Sequence, residues 1–171
     1  MLWAWISMFY VGFVDLYIRQ CAQGIWAHDG IINKQMGDGL MAIFNFPIKI
    51  EHHAEAAVAA ALEIQRRCKA ALAALAPRFD DAAASPGVGV GIHTGQVEIG
   101  EFSTIRSDFT AIGGTVNLAA RLEAQAVIGE ILVSAESAAL APGLTAVAAT
   151  RTLMLKGIER PVVARVLTAS V

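Results

Sequence analysis

Thiols are scarce in this chain. Cys21 and Cys68 are the only two cysteines among 171 residues. Both fall on segments with helical spacing, and neither stands at a metal-ligand spacing. Buried, reduced thiols are expected rather than a disulfide, which fits a reducing compartment and a cytoplasmic location. Charge of one sign is also lacking. The formal net charge is -2, so nothing points to a nucleic-acid surface or to an anionic membrane. Long apolar runs are missing too. Residues 1–14 are apolar, yet shorter than the roughly 20 residues of a membrane span. They carry no basic n-region and no small-residue cleavage site, so no signal peptide is expected. No repeat, linker or boundary interrupts residues 1–171, which read as one domain. The chain does have apolar material in quantity. It is 56% hydrophobic, with alanine supplying much of the surplus.

The chain is organised around residues 109–123, Phe-Thr-Ala-Ile-Gly-Gly-Thr-Val-Asn-Leu-Ala-Ala-Arg-Leu-Glu. Phe109, Ala111 and Ile112 suit the end of a buried strand. Gly113 and Gly114 permit a sharp turn. Thr115 is placed to cap a helix, and helix formers follow it. Asn117 and Arg121 are then one helical turn apart on one face. Leu118 and Leu122 form the neighbouring apolar stripe. An amide beside a fixed cation suits a reaction that builds charge on phosphate oxygens. The same spacing also suits an exposed Asn and Arg on a surface helix.

Elsewhere the pattern predicts a helix from residue 2 or 8 to 27, stopped by Gly30. Asp38 between two glycines predicts a hairpin with strands over 31–36 and 40–46. A long alanine-rich helix is expected over 51–75 and a loop over 77–86. A second hairpin is expected across Gly95, from strands 88–94 and 96–102. A strand over 130–134 and a short helix over 135–140 follow. Three weaker strands are expected near 144–149, 151–155 and 162–167. Met36, Met41 and Phe44 alternate as core residues do. His93 reads as structural.

Four blocks carry a family resemblance. The run Asp-Phe-Thr-Ala-Ile-Gly-Gly-Thr-Val-Asn-Leu-Ala-Ala-Arg-Leu-Glu resembles the signature of class III adenylate/guanylate cyclase catalytic domains. Lys-Gln-Met-Gly-Asp-Gly-Leu-Met-Ala-Ile-Phe, from Lys34, resembles that family's metal-binding hairpin. Val-Gly-Ile-His-Thr-Gly, from Val90, and Leu-Lys-Gly-Ile, from Leu155, recur in the same order. The resemblance spans roughly residues 16–167. It implies an α/β (α+β) fold, with a ferredoxin-like, antiparallel-rich sheet under helices. It also implies attack of the ribose 3′-hydroxyl of ATP on the α-phosphate, giving cyclic AMP and pyrophosphate.

By the same resemblance, Asp38 holds a divalent cation, Mg²⁺ or Mn²⁺. Lys34 and Thr110 read the purine. Lysine there goes with adenine, because it can donate to a ring nitrogen but cannot accept from an amino group. Asn117 and Arg121 orient the ribose and stabilise the transition state. Lys156 meets the terminal phosphates, and Arg106 lies near a phosphate-binding arginine. As plain surface charges, Lys34, Lys156 and Arg106 would need no such roles. Relatives hold two metals with two aspartates, the first on a central strand that this sequence is expected to begin after. A rival places that strand at residues 11–16, with Asp15 as its carboxylate. Gly114 departs from the Asp or Asn usual in relatives. The family's site forms between two subunits, so a homodimer or pairing with a complete cyclase subunit is implied. The alternatives are an impaired nucleotide-binding or dimerisation module, and a plain structural α/β domain.

Overall fold

The computed structural model describes residues 2–75, 88–102 and 109–169. Helix α1 (Leu2–Trp26) is followed by β1 (Ile31–Met36), β2 (Gly39–Ile43) and helix α2 (His53–Leu75). Then come β3 (Val90–Ile92), β4 (Glu98–Glu101), β5 (Phe109–Ile112) and helix α3 (Gly114–Glu123). The last elements are β6 (Glu130–Ser134), α4 (Ala135–Leu140), α5 (Pro142–Thr145), β7 (Ala149–Leu153) and β8 (Val162–Thr168). Four strands form one sheet in the order β3-β6-β8-β7. Within it β3 and β6 are parallel, and the other pairs are antiparallel. β1 with β2, and β4 with β5, make two antiparallel pairs. The fold is mixed α/β with antiparallel-rich sheets, as expected.

β6 shows how the layers are built. All five of its residues are buried, as a central strand requires. Its side chains alternate between faces. Ile131 and Val133 join Val58 and Ala61 of α2, while Leu132 joins Leu122 of α3. Thus α2 covers one face of the sheet and α3 the other. α1 packs along α2, with Cys21, Ile25, Ile64 and Cys68 in one cluster. Both cysteines are free and buried, as their helical positions predicted. At the end of α1 the left-handed residue is Asp29 (φ 60), and the Gly30 N–H bonds the Ile25 carbonyl at 3.0 Å.

Residues 11–16 are helical within α1, so the rival strand does not form. Asp15 is exposed and accepts a hydrogen bond from Arg19 Nε at 2.8 Å. The unbroken apolar period of α1 outweighs the local strand likeness of this short stretch. The returning strand β2 also stops earlier than expected, at Ile43 rather than 46. Met36 proves to be 58% exposed and is no core residue.

The expected second hairpin is absent, because β3 and β4 pair with different partners. Val88 and Ile92 are buried, and a free hairpin would expose them. β3 instead lies parallel to β6, a pairing that needs a crossover, here through α3. Gly91 makes room for that helix. A β-carbon on it would run into the Ala119 carbonyl and the Glu123 backbone nitrogen. Backbone cannot step aside as a side-chain tip can. Gly91→Ala should therefore cost about 1–3 kcal/mol, as overpacking does. Urea titration checks this: the midpoint should fall while the slope stays constant. An unmoved midpoint would show that α3 does not rest on β3 as described.

Residues 144–148 are not a strand either, and β7 starts only at Ala149. Pro142 takes the first helical position of α5, where its missing N–H costs nothing. Thr145 then donates to the Ala138 and Ala141 carbonyls at 3.0 and 2.9 Å. The expected loop over 77–86 lies outside the described residues.

Candidate functional site

The strand-turn-helix unit forms where the sequence placed it. Ala111 in β5 is buried, whereas Phe109 is 51% and Ile112 39% exposed. The strand end is therefore less buried than expected, and Phe109 stacks on Phe46 with centroids 6.0 Å apart. Gly113 makes the turn at φ 133, a conformation that side chains resist. The helix starts one residue before Thr115, and no side chain caps it. Thr115 instead donates its hydroxyl to the Gln96 carbonyl at 2.7 Å. It thereby ties the helix start to the segment ahead of β4, a contact too distant in sequence for local spacing to reveal.

Asn117 and Arg121 are both exposed on α3, one turn apart on one face. Leu122 is fully buried and Leu118 packs beside it. Leu155 and Ile158 join the same apolar cluster. The turn between them is closed by the Ile158 N–H on the Leu155 carbonyl at 3.0 Å, and it leaves Lys156 exposed. The Arg121 guanidinium reaches this turn, 4.0 Å from where a Gly157 β-carbon would sit. One core thus anchors the two elements that carry Arg121 and Lys156.

The expected base readers also come together, through a residue that the sequence reading passed over. β1 has an irregularity between Ile32 and Lys34 that leaves Asn33 out of the ladder. Such a bulge re-aims a side chain. Asn33 Oδ1 accepts from the Thr110 hydroxyl at 3.0 Å and from the Ala111 N–H at 3.3 Å. Its Nδ2 donates to the Phe109 carbonyl at 3.4 Å. Thr110 is therefore pinned to the strand that carries Lys34, and both are half-buried. The available signal was a side-chain amide inside an apolar strand, where asparagine is depleted.

Asp38 is exposed in the turn between β1 and β2. Gln35 Nε2 braces that turn by donating to the Gly37 carbonyl at 3.2 Å. The hairpin packs on α1 and β5, and neither of its strands makes an extended contact with α3 among the described residues. The Tyr17 hydroxyl holds its proton far more tightly than usual, chiefly through burial, then through Cys21, with Asp38 the smallest cause. An exposed carboxylate at a turn suits one hard cation that keeps waters and substrate phosphates as its other ligands. Among the described residues no group of three His, Cys, Asp or Glu side chains gathers to hold an ion. Arg106 lies outside the described residues.

His93 is structural, as expected. Its Nδ1 meets Ser134 Oγ at 2.8 Å, and Ser134 accepts from the Ser137 N–H to cap α4. The same nitrogen faces Glu136 at 3.8 Å. Burial lowers the His93 pKa, against a smaller rise from Glu136. Among the described residues no helix is long and apolar enough to cross a membrane.

The sequence and fold of the chain have counterparts among known proteins. The family model described as the adenylate and guanylate cyclase catalytic domain matches residues 24–164. The chain belongs to that family. Adenylate cyclase 1 of Rhizobium meliloti is 34% identical over 119 residues, which is 66% of this chain and 17% of that protein. The terminal-differentiation-specific adenylate cyclase of Dictyostelium discoideum is 36% identical over 115 residues, 66% of this chain and 5% of that protein. The chain thus spans less than a fifth of the length of these relatives. Among solved structures, the guanylyl cyclase Cya2 superposes with a TM-score of 0.82 at 29% identity, covering 91% of this chain and 78% of that one. The adenylyl cyclase CyaB of P. aeruginosa gives 0.80 at 28%, covering 94% and 83%. Both base specificities stand among the similar structures.

Proposed function

We propose that this chain is the nucleotide-reading half of an adenylate cyclase site, which binds ATP and works paired with a second cyclase subunit. The observation that carries this reading is the shared anchorage of α3 and the Lys156 turn. It holds the helix that carries Asn117 and Arg121 beside the turn that carries Lys156, so a guanidinium, an amide and an ammonium could share the charge of one triphosphate. In this reading Lys34 donates to an adenine ring nitrogen and Thr110 accepts from the exocyclic amine. Asn117 orients the ribose. The 3′-oxygen bonds to the α-phosphorus, its proton passes to water, and the bond to the pyrophosphate oxygen breaks, so that pyrophosphate leaves. Arg121 stabilises the charge that grows on the α-phosphate oxygens, and Lys156 holds the departing phosphates. Asp38 is the residue that would hold Mg²⁺ or Mn²⁺, an ion that neutralises phosphate charge and favours the ionised hydroxyl.

Competition with a fluorescent ATP analogue tests the base reading. ATP should displace the probe at about tenfold lower concentration than GTP, the worth of one well-placed hydrogen bond exchanged for a clash of acceptors. Equal displacement would remove the adenine assignment. A second reading, a domain that binds nucleotide without turnover, is favoured by Asp38 being the one acidic side chain in the hairpin turn. Binding with no product in any pairing would select it.

A further inference from the structure

We infer that Asn33 is a specificity-determining positioning residue, which forces the Thr110 hydroxyl to act as an acceptor toward the base. The inference rests on the reading above, in which Thr110 faces the purine. It starts from the orientation of the Asn33 amide. The Ala111 N–H can only donate, so the group it meets at 3.3 Å is the amide oxygen. The Phe109 carbonyl can only accept, so the group it meets at 3.4 Å is the amide nitrogen. Two backbone groups of opposite character thus fix which end of the amide points where. Thr110 Oγ1 lies 3.0 Å from the oxygen end.

A hydroxyl owns one proton and two lone pairs. Against an amide oxygen the proton has one use, which is to donate to it. The lone pairs of Thr110 are then all that it can offer a ligand. An adenine 6-amino group donates and finds an acceptor. A guanine 6-oxo group accepts and finds another acceptor. An unbound threonine hydroxyl would rotate to suit either base and would discriminate poorly. Asn33 therefore converts an ambidextrous group into a one-way reader. Its place in the β1 bulge explains how it can do so. The residue stands out of the β1–β2 ladder, so its side chain turns to β5 instead of lying in register with a β2 neighbour.

The test is equilibrium competition between ATP and GTP on the full chain and on two variants. Asn33→Ala frees the Thr110 proton. Its ATP-to-GTP preference should fall by about threefold or more, chiefly through tighter GTP binding, and what remains is the share of Lys34. Asn33→Asp keeps an acceptor for Thr110 and Ala111 but loses the donor to Phe109. It should retain the wild-type preference even where its melting temperature drops. A merely structural clamp would weaken both nucleotides together and leave the ratio alone. Wild type that prefers ATP, with an unchanged ratio in Asn33→Ala, overturns the Asn33 inference and spares the base reading. Loss of preference in Asn33→Asp overturns it as well, whether or not Asn33→Ala folds. Wild type with no preference overturns both.

Discussion

Mixed with a complete homologous cyclase subunit whose own Asn–Arg pair has been replaced by alanines, this chain should restore cyclic AMP synthesis. Arg121→Ala in this chain should then remove about 10²–10³-fold of the restored rate, the usual cost of one transition-state charge donor. The expectation follows from how the site is divided. Asp38 stands on a hairpin that packs against α1 and β5, while Arg121 and Lys156 rise from a cluster under α3. A pairing in which one subunit offers the carboxylate and the other the cations closes that separation. Asn117→Ala should also slow turnover, by about 10²-fold if the ribose is left misplaced by an ångström. Leu122 is fully buried beneath this pair and the Asn117 side chain is exposed. Both substitutions should thus leave the melting temperature within a few degrees of wild type, since surface changes are usually small. Product formation followed by mass spectrometry decides the matter. A restored rate that Arg121→Ala does not lower would refute the role.

Residues whose partners are close in sequence were readable, and residues whose partners are distant were not. β6 and α4 fall on the expected bounds. β6 is a short apolar run after a glycine, and α4 begins at a serine that caps it locally. The same holds for Asn117 and Arg121, whose helix spacing needs no knowledge of the rest of the chain. By contrast, β3 reads locally like half of a hairpin. Its true partner is β6, and only the burial of Val88 and Ile92 on assembly makes that choice. Thr115 failed as a cap because Gly113 already supplies the turn and its hydroxyl is taken by Gln96. Asn33 was passed over because its three hydrogen bonds all go to residues 109–111. Motif likeness compensated in part. It singled out Lys34, Asp38, Thr110 and Lys156 without any geometry, yet it was silent on the amide that joins the first strand to Thr110.

Alone, this chain should turn over ATP very slowly, at least about 10²-fold below the rate reached with a complete partner. The argument rests on carboxylates. The reaction needs charge neutralised both at the attacking hydroxyl and along the triphosphate, and two cations do this well when held close together. Asp38 can hold one ion with waters and phosphates completing its shell. The candidate for the second carboxylate, Asp15, does not meet the need. It sits in the middle of α1, exposed, with Arg19 Nε 2.8 Å from its carboxylate. An exposed ion pair of this kind is worth at most about 1 kcal/mol, so Asp15 is held as an ordinary surface group. Asp15→Ala should accordingly change neither turnover nor nucleotide binding. Asp38→Ala should abolish what residual activity the chain has, because its only expected metal ligand is then gone. The assay is cyclic AMP formation from ATP with Mn²⁺, run on the chain alone and then with the complete subunit added. Fast turnover by the chain alone would sink the prediction. If Asp15→Ala also stopped that turnover, the carboxylate on α1 would have to reach the substrate, and the helical placement of residues 11–16 would be wrong.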